Sequence, residues 1–69
     1  MNKQGPCVRV RLIRPNGEIT LTLEFTTEAE TEARYKRLVV ACMGDHWIGA
    51  RVQCLDTFGN IVHEHLISN

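Results

Sequence analysis

Apolar and polar residues alternate along two early segments that flank an Asn-Gly pair. Valine and leucine alternate with arginine from Val8 to Leu12, and the alternation resumes from Ile19 to Phe25. Such alternation is typical of a strand with one buried face. Asn16-Gly17 is a strong hairpin signal because a two-residue type I′ turn needs positive φ at both central positions. The pattern predicts an antiparallel hairpin.

Counting outward from this turn gives a register with apolar pairs on one face of the hairpin and polar pairs on the other. One face receives the apolar pairs Leu12 with Leu21, Val10 with Leu23, and Val8 with Phe25. The opposite face pairs Arg9 with Glu24 and Arg11 with Thr22. Turn chemistry and alternation therefore indicate the same register.

A helix is predicted directly after this hairpin. Thr27 and Glu30 form a capping box, with Thr27 as N-cap and Glu30 three positions later. The helix should run to about Met43 and end at Gly44, a natural residue for a left-handed C′ position. Ala29, Ala33 and Val40 leave another side of the helix short of charge, which hints at a second contact. Its core-facing stripe is Thr31, Tyr35, Leu38, Val39, Cys42 and Met43.

A second hairpin is predicted after the short connection Asp45-His46. Its strands cover Trp47 to Asp56 and Asn60 to Ser68, around a turn at residues 57–60. A bulge at Gly59 would shift the register by one residue. The predicted pairs are Cys54 with His63, Val52 with His65, and Ala50 with Ile67.

Together these elements predict an α+β fold of the order ββαββ, in which one helix packs on one face of an antiparallel sheet of two hairpins. Residues 1–6 are predicted to be a flexible lead-in, and residues 7–69 a single domain. A chain of 69 residues is close to the size below which a single core needs additional support. Oligomerisation would supply that support.

The second hairpin is apolar on both faces, although one helix can cover only one of them. The predicted outer face carries Trp47, Leu55, Val62 and Leu66 beside Arg51. An uncovered apolar face meets solvent, folds back on the chain or meets a partner. The leading hypothesis is a non-enzymatic interaction or regulatory module that forms a homodimer or binds another protein through these five residues. Accessory and inhibitor proteins of phages or mobile elements are a class of this size.

Nucleic-acid binding is the first alternative. Arg9, Arg11 and Arg51 are predicted to share the outer face with Trp47, and single-strand RNA binders hold stacked bases on such sheets. Eight basic residues balance eight acidic ones, however, which argues against binding by charge alone. The opposing interpretation is a solvated face in which Arg9 pairs with Glu24 and Arg51 lies near Glu64.

A metal-dependent role is the second alternative. His63 and His65 share a strand face, and Cys54 on the neighbouring strand would complete three of the four ligands that zinc takes. The opposing interpretation places both histidines at the margin of the helix-covered face, where backbone or water satisfies them. The chain lacks a Cys-x-x-Cys pair, which argues against structural zinc. It also carries no cofactor fingerprint, so no cofactor is expected.

No catalytic residues are predicted. Asp45 and His46 are an acid–base pair by type, but neither an activated nucleophile nor a second catalytic group accompanies them. Three widely spaced cysteines indicate reduced thiols rather than a disulfide framework. The sequence has no apolar run near the roughly 20 residues of a membrane span, and its first residues lack the apolar core of a signal peptide. We therefore expect a cytoplasmic protein without membrane contact.

Overall fold

The computed structural model describes residues 5–68, which form a four-stranded antiparallel sheet and one α-helix. This confirms the predicted ββαββ arrangement. The strand order is β2-β1-β3-β4, so the hairpins lie side by side with β1 and β3 at the centre. Residues 1–4 of the predicted lead-in lie outside the described residues. The elements are β1 (Cys7–Ile13), β2 (Ile19–Glu24), α1 (Glu28–Ala41), a 3₁₀ turn (Asp45–Trp47), β3 (Arg51–Asp56) and β4 (Ile61–Leu66).

The first hairpin has the predicted pairs but a different turn. Leu12 lies opposite Leu21, and Arg9 opposite Glu24, as the alternation predicted. Across the described part of the chain positive φ occurs only at glycines, here Gly17 at 92°, so Asn16 does not take the type I′ conformation. The Gly17 N–H donates to the Arg14 carbonyl at 2.9 Å, which closes a type I turn instead.

The bulge in β2 explains how this turn is compatible with the predicted register. The turn is one residue longer than predicted. Ile13 therefore lies opposite Ile19, one residue away from its partner in the predicted register. Thr20 is the extra residue that restores the pairing of Leu12 with Leu21. Pro15 favours this solution because its fixed φ suits the first central position of a type I turn.

The second hairpin repeats this geometry. Its turn closes from the Gly59 N–H to the Asp56 carbonyl at 3.2 Å, with Gly59 at a φ of 86°. Val62 is the extra residue, and its bulge absorbs the register shift, so that Cys54 lies opposite His63 as predicted. The predicted pairs Val52 with His65 and Ala50 with Ile67 are also present.

An approximate two-fold axis relates the two hairpins. It passes between Arg11 and Gln53, which lie opposite each other at the centre of the sheet. Arg14, Gly17 and Thr20 of the first hairpin correspond in turn geometry to Asp56, Gly59 and Val62 of the second. The helix follows only the first hairpin, so it breaks this symmetry. It packs over the central strands β1 and β3, which leaves the edge strands β2 and β4 flanking it.

The helix begins as predicted and ends earlier. The Thr27 hydroxyl accepts a hydrogen bond from the Glu30 N–H at 3.2 Å, which confirms the N-cap. The last helical residue is Ala41, and buried Cys42 is the C-cap. Gly44, with a φ of 171°, is extended and is not the left-handed residue that was predicted. The chain instead enters the 3₁₀ turn directly.

The hydrophobic core lies between α1 and the sheet. Val10, Leu12 and Val52 from the central strands meet Cys42 of the helix, with Ala50 and Ile67 at one end. The predicted helix stripe faces this core except for Met43, which is 72% exposed. None of the helices within residues 5–68 has the length and apolar character required to cross a bilayer. The surrounding half-buried side chains are Leu21, Phe25, Tyr35, Leu38, Val39 and Trp47.

Candidate functional site

Arg9 and Arg11 on the open face, the sheet face away from α1, have intramolecular partners. Arg9 Nη2 lies 3.1 Å from Glu24 Oε1, the pairing that the sequence predicted. Arg11 donates from Nε and Nη2 to Gln53 Oε1 at 3.0 and 2.6 Å. Gln53 Nε2 in turn donates to Glu64 Oε2 at 2.6 Å. The contacts from Arg11 to Glu64 cross three strands, and together with the separate Arg9–Glu24 pair they occupy two of the three arginines that the nucleic-acid alternative requires.

Trp47 does not lie on the open face with these arginines. It belongs to the 3₁₀ turn and packs against the helix-side core, while β3 begins only at Arg51. The Arg14 guanidinium carbon lies 5.8 Å from the centroid of the Trp47 ring, within cation–π distance. The four residues of the nucleic-acid alternative are therefore not brought together.

The five residues predicted to bind a partner are also divided. Leu55 is buried and Val62 half-buried, whereas Arg51 is exposed opposite Leu66, which is 53% exposed. Sequence reasoning missed Ile61, which lies opposite Leu55 and is 50% exposed. Simple alternation back from His63 places Ile61 on the helix-covered face, because alternation does not reveal the Val62 bulge. Of the predicted residues, Arg51 of β3 and Leu66 of β4 remain exposed on this surface, where Ile61 of β4 joins them.

A groove of about 590 Å³ runs between α1 and the edge strand β2, and we call it the helix–edge groove. Strand alternation directs Leu21 and Leu23 toward the helix, where they form part of its apolar lining. The helix contributes Leu38, Val40 and Ala41 to the same lining. Basic side chains of α1 form the rest of the wall: Arg34, Lys36 and Arg37.

The basic side chains of the groove have no carboxylate partner in the part of the chain that the structure describes: the carboxylates that contact a basic side chain there are Glu24, at Arg9, and Glu32, at His63. Sequence reasoning treated the charges of the helix as a solvated surface. The uncharged residue Val40 was the sequence signal for this groove. That signal does not show that β2 lies beside the helix.

The edge of β2 supplies unpaired backbone groups beside this groove. The Phe25 N–H donates to the Val8 carbonyl at 2.7 Å. Hydrogen bonds alternate along an antiparallel ladder, so the N–H and C=O groups of Thr22 and Glu24 point away from β1. Because β2 is an edge strand, these groups face outward.

A different set of side chains meets on the opposite side of the helix. Cys7 Sγ, a carboxylate oxygen of Glu32 and a ring nitrogen of His63 all lie within 4.8 Å of one another. Cys54 is opposite His63 as predicted, but His65 lies outside this group, opposite Val52. Sequence reasoning missed Cys7 and Glu32, because only the pairing of β1 with β3 brings the first strand to this corner.

All three cysteines are buried thiols without a disulfide. Burial raises the pKa of Cys42. Burial also raises the pKa of Cys54, to about 12, and its hydrogen bond to Cys7 adds to the effect. The pKa of Cys7 is raised by burial as well, although the hydrogen bond from Cys54 acts in the opposite direction. In the protein without bound ligands, all three are therefore protonated at neutral pH.

Two further groups of titratable residues have structural explanations. Asp56 is fully buried and accepts hydrogen bonds from the Gly5, Phe58 and Asn60 N–H groups and from the Asn60 amide. Burial raises its pKa, but these hydrogen bonds outweigh that effect and the pKa is lowered overall. Asp45 and His46 are exposed in the 3₁₀ turn.

No family model, curated protein or solved structure matches this chain. The geometry of these surfaces is therefore the basis for inferring a function. The helix–edge groove, at about 590 Å³, combines an apolar lining with basic side chains and is larger than the cavity of about 230 Å³ beside His63.

Proposed function

We propose that the protein is a non-enzymatic interaction module that binds an extended segment of a partner protein in the helix–edge groove. The observation that carries the proposal is that the free edge of β2 runs beside an apolar groove with a basic wall. The segment that fits is apolar on one side and acidic.

Strand addition provides the main-chain contacts. The outward N–H and C=O groups of Thr22 and Glu24 form hydrogen bonds to a new strand. That strand lies about 4.8 Å from β2, which is the spacing between neighbouring strands of a sheet. Every second side chain of that strand points to the helix side, where Leu21, Leu23 and Leu38 receive it. Apolar pockets for alternate side chains are how strand-adding sites select their ligands.

The basic wall selects for carboxylates on the same segment. The net charge of the chain is zero, so Arg34, Lys36 and Arg37 form a local positive patch rather than part of a basic surface. An exposed ion pair contributes about 0.2–1 kcal/mol, so the three together change affinity by roughly tenfold. Complementary charge also raises the association rate and excludes basic segments.

Selection from a display library of random decapeptides tests this proposal. We expect the selected peptides to combine alternating apolar residues with acidic ones, and to bind at least tenfold more weakly to the Arg34→Glu/Arg37→Glu variant. Arg51→Glu is the matched control, because Arg51 is an exposed arginine on the open face. Its binding should be unchanged.

Amide hydrogen exchange locates the bound peptide. Protection should appear at Thr22 and Glu24 of β2, whose N–H groups are free in the unbound protein. Selected peptides that are basic, that bind both charge variants equally, or that protect β4 instead of β2 would refute the proposal.

Self-association through β4 is a second candidate, supported by the exposed side chains of Ile61 and Leu66 beside a free strand edge. Glu64 is the only formally charged residue of β4, so this edge lacks the lysines and prolines that usually prevent pairing. Two copies related by a two-fold axis would join their β4 strands in one continuous sheet.

Light scattering coupled to size-exclusion chromatography measures this association. We expect a dimer that Leu66→Lys converts to a folded monomer. Ile19→Lys is the matched control, because Ile19 is 51% exposed on the opposite edge strand. A parent protein that stays monomeric at millimolar concentration would exclude this candidate.

A further inference from the structure

Side chains of three elements converge where β1 begins, on the side of the helix away from the helix–edge groove. Cys7 is the first residue of β1, Glu32 lies on α1, and His63 lies on β4. Their ligand atoms are all within 4.8 Å of one another. Thiolate sulfur, imidazole nitrogen and carboxylate oxygen are the three ligand types that zinc takes in proteins.

The distances are close to those of a tetrahedral zinc site. His63 Nε2 lies 3.4 Å from Glu32 Oε1. Two ligands at about 2.0–2.1 Å from a tetrahedral zinc are about 3.3 Å apart, so this pair already has the required spacing. The Cys7 sulfur needs to approach by only about 1 Å, because a Zn–S bond is about 2.3 Å long.

Neighbouring residues hold the three side chains in place. The Tyr35 ring stacks on His63, with ring centroids 5.8 Å apart. The Cys7 N–H donates to Glu28 Oε2 at 3.2 Å, which fixes the start of β1 against the first turn of the helix. The Cys54 thiol is hydrogen-bonded to Cys7 from the neighbouring strand. Such outer contacts orient ligands in zinc sites.

The corner also has an opening for a metal ion. A small cavity of about 230 Å³ is lined by Glu32, Tyr35, Lys36 and His63. The side chains of Glu32 and His63 are 41% and 47% exposed, whereas Cys7 is fully buried behind them. An ion entering from solvent would therefore meet the carboxylate and the imidazole first and the thiolate last, with its fourth position open to water.

We propose that Cys7, Glu32 and His63 bind one Zn²⁺ ion. The site differs from the one predicted from the sequence in two of its three ligands, since Cys7 and Glu32 replace Cys54 and His65. Lys36 borders both this corner and the helix–edge groove, but none of the three proposed ligands lines the groove. The zinc proposal is therefore tested independently of the proposed peptide binding.

Zinc titration of untagged, metal-free protein tests the proposal, with a chromophoric chelator as competitor and a non-thiol reductant present. We expect one zinc per chain. His63→Ala and Glu32→Gln should each weaken binding at least tenfold. The matched controls are His65→Ala on the same strand and Glu30→Gln on the same helix, and both should bind like the parent.

Substitution with Co²⁺ identifies the sulfur ligand. Bound cobalt should give a thiolate-to-metal charge-transfer band that Cys7→Ser abolishes and Cys42→Ser, a buried cysteine in the core, retains. Should Cys7→Ser fail to fold, the exposed His63 and Glu32 variants decide the question. Absence of stoichiometric zinc, equal affinity of His63→Ala and the parent, or a band that survives in folded Cys7→Ser would overturn the assignment.

Discussion

Replacing Gln53 with leucine removes the residue that links two charges across the open face. The Gln53 side chain is almost completely buried and lies at the two-fold axis between the hairpins. Its carbonyl oxygen accepts both hydrogen bonds from Arg11, and its amide nitrogen donates to Glu64. Leucine has a similar size and can make none of these contacts.

The structure sets the expected size of the effect. Hydrogen bonds to charged groups contribute about 1.5–3 kcal/mol each when the partner stays desolvated. Glu64 is exposed and regains water, whereas half-buried Arg11 regains only part of its hydration. We therefore expect a loss of about 2–3 kcal/mol in the free energy of unfolding. For a chain of 69 residues, whose total stability is about 3–10 kcal/mol, this is a large fraction.

Urea unfolding followed by circular dichroism measures this loss. Arg51→Leu is the matched control, because Arg51 is an exposed arginine on the same face and should change stability by less than about 0.5 kcal/mol. In a double-mutant cycle, Arg11→Met and Gln53→Leu should show a coupling of at least about 1 kcal/mol. A Gln53→Leu variant as stable as the parent, or additive single changes, would refute the reasoning.

Three further predictions concern local structure. Gly17→Ala should destabilise the protein by about 1–2 kcal/mol in urea unfolding because φ is positive at this turn, whereas Gly44→Ala, in extended backbone with open space, should be neutral. Thr27→Ala should cost about 1 kcal/mol by losing the N-cap, and Thr27→Ser, which keeps the hydroxyl, should restore most of it. The pKa of Asp56 is lowered from 3.8, so its stabilising effect is complete above that pH and is lost as the pH falls through the folded value. The difference in stability between the parent and Asp56→Asn should therefore shrink on acidification from pH 5 to 2, and a constant difference would contradict this account.

Much of the local structure follows from the sequence because strand alternation restricts the register. A shift of one residue would have turned Leu12 and Val10 away from the helix, so only one pairing of the first hairpin buries both. The same argument confirms the pair Cys54 with His63 in the second hairpin. The N-cap Thr27 was also predictable from the sequence, because its hydroxyl accepts a hydrogen bond from a residue within one turn of the helix.

The errors have a common physical origin. A bulge adds one residue to a strand without changing which residues are apolar, so alternation does not reveal Thr20 or Val62 as the extra residues. Trp47 was placed in a strand because its position fits an alternating pattern. In the structure it is the last residue of the 3₁₀ turn and packs against the core, where burial decides its position.

The sequence by itself determined the two hairpins, the helix start and the fold class, because these depend on contacts between residues close in the chain. Only the tertiary structure decided that β1 and β3 are central, which brings Cys7 to the corner of His63 and leaves β2 as a free edge beside α1. Strand order depends on how the two hairpins dock through the pairing of β1 with β3, which joins residues far apart in the chain and is not encoded in local alternation. The helix packs across these two central strands, and both candidate sites arise from this arrangement.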